Sequence, residues 1–357
     1  MICTPAVVLP ASYVLPFRSD HEPALEFLEY VNALAAHIEV ILVDGSSAPV
    51  FAAVAARCGP LVRHIRPDSD LDELANGKVR GVLTGLRAAR HDRIVVADDD
   101  VRYSAAALTS IVASLDTADV VRPQNYFAPL PWHALLDTAR TLINRSTGGD
   151  WPGTLAVRRS ALMPDGYAGD VLFENLELVR TVEAGGGRSR CRPDLMVHRL
   201  PPDTRHFWSQ RVRQAYDEFS RPLRMVAALA VVPAIGALLW TRRRATAAIA
   251  VLLMPMLIAE VGRRRDRGRE VFPWPASVVA PLWVIERGLC AWLAVVARLT
   301  AGGVRYNGRI LSVAAHSPAV LTQRWAALRS TRPGTSAVPD GAVARSAQGR
   351  TLRTAGR

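Results

Sequence analysis

Three consecutive carboxylates, Asp98, Asp99 and Asp100, follow the apolar run Ile94, Val95, Val96 and Ala97. Adjacent Asp side chains repel one another and are poor strand formers, so their place at the end of a buried β run calls for compensating positive charge. A divalent metal supplies it economically. Carboxylate oxygens suit Mg²⁺ or Mn²⁺, and a metal held by one or two carboxylates shares its other positions with substrate phosphates and water. The same triplet also suits a solvated turn, because Ser104 and the spacing of Leu108, Ile111, Val112 and Leu115 announce a helix just beyond it. The residues of the triplet alone leave both readings open.

The surrounding elements decide where these carboxylates point. Residues 12–17 read as a buried strand ending near Pro16, and residues 39–44 as a continuous β-branched run without alternation, the pattern of a parallel strand covered on both faces. Between them, Asp20 is placed to cap a helix whose apolar face is Phe27, Leu28, Val31 and Leu34. A strand at 61–65, a helix after Asn76, Gly77 and Lys78, and the strand before the triplet continue the alternation. Strands alternating with helices through residue 121 predict an α/β, mostly parallel sheet flanked by helices. Ligands in such sheets bind beyond the carboxyl ends of the strands, where Asp44 and residues 98–100 converge. No G-x-G-x-x-G or Walker-type loop is present, which excludes the usual dinucleotide and NTPase fingerprints.

The order of these parts resembles the inverting, metal-dependent family 2 glycosyltransferases, which have a GT-A fold. The likeness covers roughly residues 10–220. It runs through Pro16, then Val43, Asp44, Gly45 and Ser46, then Gly77 and Lys78 before a helix, then the Asp triplet. It continues with the segment 153–160, with Glu174 and Asn175 opening a helix, and with Gln210 to Gln214. The resemblance implies a nucleotide-sugar site, UDP- or GDP-linked, formed by Pro16, Asp44, Lys78, Asp98 and Asp99. Within it Asp44 lies near the base, Asp98 near ribose and metal, and Asp100 is the principal ligand of Mg²⁺ or Mn²⁺. Gln210 and Arg213 match the family's Q-x-x-R-W segment near the diphosphate. Two positions depart from the family: Gln214 replaces the Trp, and Asn175 replaces the acid that usually takes the acceptor's proton. Glu174 is then the base candidate, with Glu177 and Asp170 behind it, and the alternative is a catalytically silent membrane scaffold or glycan-binding subunit. His198 and His206 read more simply as structural than as metal ligands.

Composition frames the rest. The chain has 357 residues and a formal charge of +12, with a pI near 10.5. Residues 301–357 hold nine Arg against one Asp, so about +8 of that charge lies at one end, and basic clusters flank apolar runs elsewhere. That distribution argues against a nucleic-acid interface, which needs a basic face in the folded domain. The four cysteines have no paired spacing, so neither zinc nor a disulfide framework is indicated and a reducing compartment fits. Three domains are expected: 1–220 catalytic, 221–300 with membrane helices near 223–240, 245–262 and 277–299, and 301–357 a basic disordered tail. Each apolar run approaches the ~20 residues needed to span a bilayer. Glu286 and Arg287 fall in the middle of the last, where each costs about 2.5 to 3.5 kcal/mol if it faces lipid. The expected setting is the inner membrane, multi-pass or re-entrant, with the catalytic domain and the tail cytosolic and a lipid or glycan acceptor of the cell envelope.

Overall fold

A computed structural model describes residues 8–240, 244–306 and 308–331. The chain runs β1 (Leu9–Phe17), α1 (Leu25–Leu34), β2 (Ile38–Asp44), α2 (Ala48–Ala55), β3 (Val62–Ile65), α3 (Gly77–Ala88), β4 (Arg93–Ala97) and β5 (Val101–Arg102). There follow α4 (Ala105–Ser114), β6 (Val120–Phe127), α5 (Trp132–Thr147), β7 (Thr154–Arg158), α6 (Glu174–Ala184) and β8 (Ser189–Arg199). The remainder is mainly helical: α7 (Thr204–Ser209), α8 (Arg211–Tyr216), α9 (Pro222–Trp240), α10 (Arg244–Arg264), α11 (Pro275–Val278) and α12 (Ala280–Ala301). A small hairpin, β9 (Val304–Tyr306) and β10 (Arg309–Leu311), precedes α13 (Pro318–Thr331).

Eight strands form one sheet in the order β3-β2-β1-β4-β7-β6-β8-β5. β3, β2, β1 and β4 are mutually parallel, as their unalternated apolar runs require. β7 is inserted antiparallel between β4 and β6. Apolar clusters cover both faces, one built on α1 and α4 and the other on α3 and α6. The inward face of α1 is Phe27, Leu28, Val31 and Leu34, as the spacing predicts. Its start is not: the helix begins after Ala24 with no side-chain cap, so Asp20 lies four residues outside it. Ser104 does cap α4, accepting from the Ala107 amide at 3.2 Å.

The expected disordered tail requires correction. Residues 304–306 and 308–331 fold back onto the α/β domain, and within 301–357 residues 307 and 332–357 lie outside the described residues. Leu321 is buried, and the Trp325 indole donates to the Thr181 carbonyl at 2.8 Å on α6. His316 completes the clasp, its ring and amide bonded to the buried Glu177 at 2.8 and 2.7 Å. Trp325→Ala is expected to cost roughly 2–4 kcal/mol, since it removes a large packed ring and orphans a carbonyl. Thermal unfolding checks this, and an unchanged midpoint would show that α13 contributes nothing to the fold.

The three apolar runs become α9, α10 and α12. Among the described residues only α12 is long and apolar enough to cross a membrane, and 44% of its apolar window is buried inside the protein. The expectation of several full crossings is thus not supported. α9 carries Pro233 in its interior, and α10 carries Pro255 and Glu260 and ends in arginines. Glu286 and Arg287 do not face outward. Glu286 lies 3.8 Å from Arg211 of α8, and Arg287 is buried against Trp283 and Gln214. The opposite faces are apolar and exposed, with Leu223 of α9, Leu257 of α10, and Leu289 and Leu293 of α12 open to the surroundings. The arginine run 242–243 lies outside the described residues.

α5 ties this helical layer to the sheet. Gly262 of α10 comes so close that a Cβ there would stand 1.9 Å from the Leu142 carbonyl oxygen. Next to it the fully buried Arg145 donates to the carbonyls of Gly262, Pro193 and Arg265 and to Gln124 Oε1.

Candidate active site

The Asp triplet occupies the turn where the chain leaves β4 in mid-sheet and reaches β5 at the edge. β5 pairs antiparallel with the end of β8, setting Val101 opposite Arg199. This register brings a cation to the acids. Arg199 Nε donates to Asp100 at 2.9 and 3.0 Å, and Nη2 to Asp98 at 3.2 Å. Backbone bonds fix the turn on both sides, from the Asp98 amide to the Gly153 carbonyl and from the Leu200 amide to the Asp100 carbonyl, each 2.8 Å. A Cβ at Gly153 would lie 2.5 Å from Asp98 Oδ2 and 2.9 Å from Arg199 Cζ, so a side chain there would push this ion pair aside. Asp99 is exposed and turned from this contact.

Lys78 is the second cation. Asn76, fully buried, accepts from the Lys78 and Val79 amides and donates to the Val171 carbonyl, which fixes the first turn of α3. Lys78 Nζ thereby stands 2.5 Å from Asp98 Oδ1 and 2.7 Å from Glu174 Oε1. Burial disfavours its charge, but Asp98 and Glu174 outweigh this and hold its pKa well above the ordinary lysine value. Glu174 is the first residue of α6. One ammonium therefore links the Asp triplet to the base candidate. Its neighbour Asn175 donates to the Pro152 carbonyl at 3.0 Å, a bond that a carboxylate in its place cannot donate.

A cavity of about 170 Å³ is lined by Lys78, Asp98, Glu174, Gln210 and Arg213, five of the residues singled out from sequence. Asp100 adjoins it through Arg199. Gln210 contacts the His206 ring, and Arg213 stands over Tyr306 with its guanidinium 5.0 Å from the ring centre. Pro16, next to last in β1, and Asp44, last in β2, lie outside this lining. Asp44 is fully buried; its burial raises its pKa, yet hydrogen bonds from His64 at 3.0 Å and the Ser46 amide at 2.8 Å hold it below the usual carboxylate range. Glu177 and Asp170 are not at the cavity. The first is spent on His316, and the second is exposed and accepts from the Ala75 amide. His198 bonds the Ala128 carbonyl at 2.6 Å, a structural role.

Sequence reasoning missed several lining groups: Arg199, and also Arg140, Asp217, Glu218, Arg221, Arg224 and Arg287. Asp217 stands out because its Oδ1 is buried without a hydrogen-bond partner. Burial, and then the nearby charge of Glu174, push its carboxyl up to about 8. A second cavity, about 440 Å³ and mainly apolar, lies between α13 and the segment 163–168, but it contains none of these groups.

The eight-stranded, mostly parallel sheet flanked by helices, with acids and cations gathered past its strands, is GT-A-like. Residues 12–150 match the family model described as Glycosyl transferase family 2. Among solved structures, the chain is similar to a mannosyltransferase from Pyrobaculum calidifontis in complex with GDP-Man and Mn²⁺. The two are 16% identical, with 92% of this chain and 83% of that one covered and a TM-score of 0.42. It is also similar to glucosyl-3-phosphoglycerate synthase from Mycobacterium tuberculosis in complex with Mn²⁺, UDP and phosphoglyceric acid, at 17% identity, 57% and 76% coverage and a TM-score of 0.39. No curated protein matches the sequence.

Proposed function

We propose that the chain transfers a sugar from a UDP- or GDP-linked donor to a hydroxyl of a lipid or lipid-linked glycan, in a single metal-dependent displacement with inversion. The observation that carries this reading is the convergence of Lys78, Asp98, Glu174, Gln210 and Arg213 on one cavity. Asp98 and Asp100 both reach the Arg199 guanidinium, so their carboxylates face a common point. Among the described residues no third acid, His or Cys joins them in a cluster. Two carboxylates fit a hard divalent cation that completes its shell with diphosphate and water. When bound, the metal neutralises charge on the departing nucleoside diphosphate.

The chain's own groups account for the rest. Arg213 and Lys78 supply fixed positive charge where the leaving group gains negative charge. Glu174, held by Lys78, accepts the proton of the attacking hydroxyl. One base and no second nucleophile give a single in-line displacement. The exposed apolar faces of α9, α10 and α12 fit a membrane surface rather than water, and the donor's supply places the catalytic domain on the cytosolic side.

A screen of nucleotide sugars by calorimetry on the detergent-solubilised protein tests this. One donor should bind with Mn²⁺ or Mg²⁺ present and bind about tenfold or more weakly after chelation. Binding indifferent to chelation would remove the metal from the reading, and no binding at all would remove the reading itself.

A further inference from the structure

Past Glu174 the cavity is walled by arginine. Arg221 and Arg224 stand at the start of α9, and Arg287 reaches in from the middle of α12. Their charge is incompletely matched. Arg221 and Arg224 share one carboxylate, Glu218, at 3.0 and 3.3 Å. Arg287 has no carboxylate within ion-pair distance among the described residues, and its hydrogen bond to Gln214 is long, at 3.5 Å. Nε and Nη1 of both Arg221 and Arg287 are buried without an acceptor.

Buried guanidinium N–H groups left unpaired cost free energy, and a tetrahedral oxyanion satisfies several of them at once. Asp217, protonated near neutral pH, contributes little competing negative charge. The transferase reading already assigns Lys78 and Arg213 to the donor's diphosphate. Resting on the transferase reading above, we infer that the acceptor carries a phosphate group, seated on Arg221, Arg224 and Arg287 beside the attacking hydroxyl. Leu223, Leu289 and Leu293, exposed on the same helices, suit an apolar chain attached to that phosphate.

The test is calorimetric titration of the full-length protein in nonionic detergent with inorganic phosphate, before and after saturation with UDP or GDP and Mn²⁺. Phosphate should bind with the nucleotide already in place. Its Kd should weaken about tenfold in Arg287→Gln and in Arg224→Gln, with the nucleotide Kd unchanged. Arg224, whose side chain is 38% exposed, guards against misfolding of the buried variant. Phosphate binding that nucleotide abolishes, or that survives both substitutions, overturns the inference. Failure of the transferase reading appears separately, as wild-type protein that binds no nucleotide. Micelles doped with phosphatidic acid that displace phosphate, where diacylglycerol micelles do not, assign a lipid headgroup. Phosphate binding without such displacement assigns a soluble phosphorylated acceptor.

Discussion

Asp100→Ala is expected to lower transfer by about a thousandfold or more while the protein stays folded, because on the proposed reading a metal ligand and an electrostatic stabiliser of the leaving group are lost together. The fold should survive because the turn is held by backbone. The Asp100 carbonyl still accepts from Leu200, and the Asp98 amide still donates to Gly153. Only the side-chain contact to Arg199 disappears, and Arg199 keeps Asp98 at 3.2 Å. Two measurements check the result: the Mn²⁺-dependent part of nucleotide binding, which should vanish, and the unfolding midpoint, which should shift little. Full transfer activity in this variant would dismantle the metal assignment.

Glu174→Gln should remove turnover by roughly a hundred- to ten-thousandfold and spare donor binding, the signature of a missing general base. Asp217→Asn is its control. If Glu174 takes the proton, Asp217→Asn retains turnover. If the two outcomes are exchanged, Asp217 is the base, and wild-type kcat should then rise with pH through about 8. The same carboxyl has a stability signature whose sign is fixed. Its folded pKa, about 8, exceeds the value of about 4 expected in an unfolded chain. Between those values the unfolded chain has released a proton that the folded chain retains, so stability falls as pH rises from about 4 to about 8. Asp217→Asn removes that slope. Its midpoint should exceed that of the wild type at pH 8.5 and approach it near pH 4, and equal midpoints at both pH values would show that the carboxyl is not perturbed.

Of the candidates within residues 16–100, only Lys78 and Asp98 line the cavity, and the strand ends were legible because their signals are local. A β-branched run, a turn and an acid at the strand end lie within a few residues of one another, as at Val43 and Asp44 or Val96 and Asp98. The rest of the site is made by register and docking. Arg199 reaches the triplet only because β5 pairs with the end of β8 about a hundred residues later in the chain, and Arg287 only because α12 packs beside α8. Neither leaves a mark on its own neighbourhood. Asn175 illustrates a different limit: as a departure from a family pattern it reads as a lost base, and only its bond to the Pro152 carbonyl gives it a structural purpose. The tail misled because composition over residues 301–357 averages away two apolar anchors, Leu321 and Trp325.

The close seat of Gly262 on Leu142, with Arg145 bonded across it, has a consequence for how this enzyme can change. α5, which receives α10 there, also lines the cavity with Arg140 and Asn144, and the next two walls come from α9 and α12. The apolar helices are therefore not an interchangeable tether. If the acceptor sits on Arg221, Arg224 and Arg287 as inferred above, a chimera that keeps residues 1–220 and borrows a relative's helices inherits the donor side of the pocket and a stranger's acceptor side. Lineages that altered these helices to suit a different lipid environment would have altered substrate choice in the same step.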